Sequence, residues 1–176
     1  MNKALIAFAL ASLAGAPALA QTPAPAAAAP APNPPRPIGG PPLALAREAA
    51  ETAIAACKAQ GWSVIATVVD EIGLTKLVIA PDGAPGPGSN GGRRKAVMAV
   101  TFKADSGAIV EQMKTDPALA EKINGDKVNF FPARGAVLIK VGDRIVGALG
   151  VGGAPGGEKD EACAQAGVKK IADRLK

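Results

Sequence analysis

Two stretches of this chain leave room for little but β-hairpins. "WSVIATVVDEIGLTKLVIA" (62–80) holds two β-branched runs split by Glu71-Ile72-Gly73, and "GAVLIKVGDRIVGALGV" (135–151) holds two more split by Gly142-Asp143. Parallel neighbours need a crossover of roughly a dozen residues or more, so each pair must run antiparallel. Helical patterns surround the hairpins. "LALAREAAETAIAACKAQG" places Leu45, Ala49, Ala53, Ile54 and Cys57 on one face and stops at Gly61. "RRKAVMAVTFKAD" is expected to be capped by Ser89 or Asn90 after a loop over 81–88, with Ala96, Val97, Val100 and Ala104 inward. "SGAIVEQMKTDPALAEKI" reads as one or two short helices broken before Pro117, and "EKDEACAQAGVKKIADRLK" starts acidic and ends basic, as a helix dipole favours. The order α-β-β-α-(α)-β-β-α implies an α/β protein of the α+β kind, an antiparallel sheet flanked by helices.

The preceding residues cannot join that core. Residues 1–20 carry Lys3, an apolar run and the small tripeptide Ala18-Leu19-Ala20, the layout of a signal peptide cleaved after Ala20. The apolar run is too short for a membrane span. Residues 21–42 are Pro/Ala-rich with Arg36 as their one charge, and read as a semi-extended linker. The expected domain is therefore 43–176, in a periplasmic or secreted protein. Setting aside Lys3 and Arg36, 18 basic residues face 15 acidic ones, a mild +3. With Trp62, Phe102, Phe130 and Phe131 as its aromatics, the domain gives no basis for nucleic-acid binding.

The chain has no histidine and no tyrosine. That removes the Ser-His-Asp triad, the imidazole base and His-based zinc sites. Cys57 and Cys163 match no metal or redox spacing. An even count in an exported chain suggests a disulfide, with two buried thiols as the alternative. "GPGSNG" (86–91) spells G-x-G-x-x-G but lacks both the strand leading into it and the later acidic residue of a dinucleotide site. Arg93, Arg94 and Lys95 are expected in the first turns of a helix, where cations are unfavourable unless an anion offsets them. They are thus either an anion site or a solvated or subunit-contact patch. In "GALGVGGAPGGEKDE" (147–161) the glycines first supply a strand-to-helix turn, whose exposed N–H groups could also meet an anion.

These segments resemble the GlcG/HbpS family of small haem-binding, sometimes haem-degrading, domains. The C-terminal stretch is similar to the family signature at Gly147, Gly150, Val151, Gly153 and Asp160; "VVDEIG" is similar at Asp70 and Gly73, and "RRKAVMAVTF" at Lys95 and Ala96. The chain departs from the pattern at Gly152, where serine is usual, and at Val97-Met98. The resemblance implies a profilin-like fold, homo-oligomers, and non-covalent binding of haem or a related anionic small molecule. The expected ligand site is Arg93, Arg94, Lys95, Met98, Gly150, Gly152 and Gly153, the basic residues pairing with propionates. With no His or Tyr, the candidate axial ligands are Met98, Met113, Thr101, a lysine or a free cysteine. Binding rather than catalysis is the expectation. The rivals are a haem-degrading enzyme using Asp70, Asp160 or Lys95, and an accessory oligomer without ligand.

Overall fold

The computed structural model describes residues 39–176; the expected signal peptide and all but the end of the expected linker lie outside them. The hairpins form where the turn signals place them. Strands β1 (Ile65–Asp70), β2 (Thr75–Ile79), β3 (Ala136–Val141) and β4 (Arg144–Gly152) make one antiparallel sheet in the order β2-β1-β4-β3. The two hairpins join through β1 and β4, with Thr67 opposite Gly150 and Asp70 opposite Gly147. In β4 the register skips Val146 against β3, and in β2 it skips Lys76 against β1, so each hairpin carries one bulge.

Helices cover both faces. Helices α1 (Leu43–Lys58) and α5 (Gly157–Ile171) pack antiparallel on one side, over Val64, Ala66, Val68, Leu149 and Val151. Their contact uses small residues: a Cβ on Gly167 would collide with the carbonyl oxygen of Ala49. Cys57 and Cys163 tie the same pair in a disulfide, with Cα atoms 5.6 Å apart. Helix α2 (Gly86–Phe102) covers the other face over Val69, Ala136, Leu138 and Ala148. Outside it sit α3 (Ser106–Gln112) and α4 (Pro117–Gly125), enclosing Met98, Ile109, Ile123 and Phe130. Helix α4 begins as Pro117 suggests, its Leu119 N–H donating to the Asp116 carboxylate at 3.0 Å.

Two expectations need correction. Helix α2 does not start after Ser89 or Asn90. Its N-cap is Pro85, with no side-chain cap, and "GPGSNGG" is its first two turns. Glycine is a poor helix former, but here the missing side chains permit contact between backbones. A Cβ on Gly92 would lie 3.1 Å from the Gly150 carbonyl oxygen, and one on Gly88 would lie 2.6 Å from that of Gly152. Second, the linker does not run unbroken to residue 42. Pro41 is buried, and the Gly39 carbonyl accepts from Lys76 Nζ at 3.1 Å, so residues 39–42 lie against the β1–β2 hairpin.

Thr67 sits at the centre of β1, fully buried, and its hydroxyl has no hydrogen-bond partner among the described residues. An unsatisfied buried polar group costs about 1–3 kcal/mol. Thr67→Val keeps the branched shape and removes that cost. It should raise unfolding stability by about 1 kcal/mol, read as an increase in urea midpoint at constant m-value.

Candidate functional site

The resemblance motifs are far apart in sequence, and the fold gives each a defined task. Lys95 and Asp160 meet. Lys95 Nζ donates to Asp160 Oδ2 at 2.8 Å and to the Arg134 carbonyl at 3.0 Å, and the paired side chains are only 3% and 6% exposed. Asp160 Oδ1 accepts from the Ala154 N–H at 3.0 Å. The pair thereby fixes α2, the start of α5 and the 131–135 segment to one another. A second link holds the same segment, Arg134 Nε donating to Glu161 at 2.7 Å. The Arg134 guanidinium is held above its ordinary pKa by that hydrogen bond first and by the charge of Glu161 next. Asp70 builds the β1–β2 turn: its carboxylate accepts from Ile72 N–H at 3.1 Å and Leu74 N–H at 2.8 Å. Gly73 occupies the positive-φ position of that turn, at +84°.

Of the clefts along α2, two hold residues singled out in the sequence. The first, about 410 Å³, is floored by Lys95 and Asp160 and walled by Pro87, Gly91, Phe131 and Gly153. The second, about 460 Å³, lies between the Asp70-built turn and α2, with Ile72, Leu74, Arg93, Val97, Thr101 and Phe130 in its lining. Ile72 is 70% and Leu74 51% exposed, an unusual display of apolar surface for a tight turn.

The structure does not bring the expected site residues together as one patch. Arg93–Lys95 are in the third turn of α2 rather than its first, so the helix-terminus argument for an anion there fails. They also point three ways, as consecutive helical residues must. Arg93 faces the second cleft and Lys95 the first. Arg94 reaches the 130–131 segment, donating to the Phe130 carbonyl and lying over the Phe131 ring at 5.2 Å. Gly152 and Gly153 line the first cleft, whereas Gly150 is packed under Gly92.

Of the candidate axial ligands, Met98 is fully buried between α2 and the α3–α4 pair and Met113 packs beside it; neither lines either cleft. Thr101 lines the second cleft, with its hydroxyl donating to the Val97 carbonyl at 2.8 Å. Cys57 and Cys163 are bonded to each other and offer no thiol. Sequence reasoning missed Ile72, Leu74 and Phe131. The signal for the first two was present, as apolar residues flanking the glycine of a turn.

Comparison with solved structures gives matches across nearly the whole described region. A double mutant of HbpS from Streptomyces reticuli is 29% identical, with a TM-score of 0.69, covering 85% of this chain and 99% of that one. The ORFY protein of Klebsiella pneumoniae is 22% identical, with a TM-score of 0.68 over 78% of this chain and 94% of that one. A PduOC–haem complex is 18% identical, with a TM-score of 0.68 over 78% and 97%. These last two show the shared fold. No curated protein sequence matches significantly. The family described as haem degrading protein HbpS-like matches residues 42–169, from the first helix through most of α5, and the chain belongs to that family.

Proposed function

We propose that this protein is an exported haem-binding protein, with haem seated in the cleft between the Asp70-built turn and α2. The observation that carries the reading is the pairing of exposed Ile72 and Leu74 with Arg93 across one cleft. A haem presents an apolar macrocycle edged by carboxylates. Ile72, Leu74 and Val97 supply apolar contact, and Arg93, with no ion pair among the described residues, suits a propionate. Thr101 and Asn129 are the oxygen-bearing side chains in the same lining, and Thr101 is the candidate weak ligand for the iron. The cleft volume falls within the roughly 300–1,000 Å³ usual for small-molecule sites. Family membership and the haem complex of a structural neighbour support haem over other anionic ligands. Export rests on the sequence layout of residues 1–20, and homo-oligomers remain the family-based expectation.

The test is a haem titration of the chain from residue 21 onward, following the Soret band. Saturation near one haem per chain is expected. Arg93→Ala should weaken affinity by about tenfold or more, the loss expected of one charge-assisted contact. Leu74→Asp should weaken it further. Unchanged affinity in both variants would remove haem from this cleft. Mass analysis of the secreted protein tests the cleavage after Ala20.

A further inference from the structure

We propose that the first cleft is a separate ligand site, one that takes a small, largely apolar carboxylic acid with its carboxylate on Lys95. Lys95 is 2% exposed and lines this cleft. An ammonium has three N–H donors. Two are matched, by Asp160 and by the Arg134 carbonyl, and the third has no acceptor among the described residues. A buried cation with an unused donor at a cleft floor is poised for an external oxygen.

The surroundings favour an anionic oxygen. The charge of Asp160 is offset by Lys95 and by the Ala154 N–H. The rim carries the starts of two helices, of which α2 has no acidic residue in its first turn and α5 has Glu158 beside Gly156. Pro85 and Pro87 bring the start of α2 to it, and Gly156 and Gly157 bring the start of α5. The walls are otherwise apolar, from prolines, Ala133, Ala154 and the half-exposed face of Phe131. A cavity of about 410 Å³ with such walls suits a single ring or a branched aliphatic body.

Benzoate is the probe, with benzamide as its uncharged counterpart, followed by amide ¹H–¹⁵N correlation spectra of the chain from residue 21. Benzoate should give saturable shifts at Gly152, Gly153, Gly156 and Gly157, with benzamide at least tenfold weaker. Gly91→Leu is the diagnostic variant, because it narrows the cleft without replacing Lys95. Its Cβ would meet only the Phe131 ring, at 3.8 Å, an ordinary contact. Leucine also favours helix over glycine, so the variant should fold. It should weaken benzoate at least tenfold and leave the haem titration unchanged, which separates this site from the haem cleft. Absence of saturable shifts, equal binding of benzamide, or undiminished binding by Gly91→Leu would each overturn the proposal.

Discussion

Replacing Lys95 with methionine is expected to destabilise the protein by about 3–5 kcal/mol, because it strands the Asp160 carboxylate in the interior. Both partners are nearly inaccessible, so solvent screens little of the interaction, and the pair bridges elements 65 residues apart. Typical domains are stable by only about 5–15 kcal/mol, so the single variant approaches the limit of folding. Lys95→Met combined with Asp160→Asn separates the causes. Asparagine removes the buried charge and still accepts from the Ala154 N–H. The double variant should therefore recover a large part of the loss in urea unfolding at neutral pH. A double variant no more stable than Lys95→Met would show that the cost arises from lost packing or the lost Arg134 contact, not from the stranded charge.

The second large effect concerns the Cys57–Cys163 bond, which closes a span of 106 residues. For a loop near that size the chain-entropy argument gives up to about 4.7 kcal/mol, and removal of native disulfides typically costs about 2–5. Cys57→Ala with Cys163→Ala should lose stability within that range, seen as a lower urea midpoint. The bond joins α1 to α5, neither of which lines the second cleft, so haem affinity should be unchanged. A loss below about 1 kcal/mol would mean that the contact around Ala49 and Gly167 holds the helix pair without covalent help.

Much of the fold was readable because its signals are local. Alternating β-branched runs around Gly142-Asp143 specify a hairpin wherever they occur. The alanine-rich face of α1, the break before Pro117 and the acidic start of α5 likewise depend on neighbours within a turn or two. The start of α2 was misread for the opposite reason. Five glycines and two prolines within 83–92 argue for a loop, and only contact with β4 makes the helix favourable. The grouping of Arg93, Arg94 and Lys95 was a different error. Once a helix is assigned there, its 100° step already sends three consecutive side chains apart.

The sequence by itself determined four strands in two hairpins, the helices between and around them, and a chemistry without histidine or tyrosine. It also supplied the motif residues Asp70, Lys95 and Asp160. Only the tertiary structure decided what those residues do. Asp70 shapes the turn that exposes Ile72 and Leu74, while Lys95 and Asp160 close one buried pair beneath a glycine-built cleft. Local propensity acts over a few residues, whereas a buried charge pair and a backbone-to-backbone helix contact exist only once distant segments have been brought together.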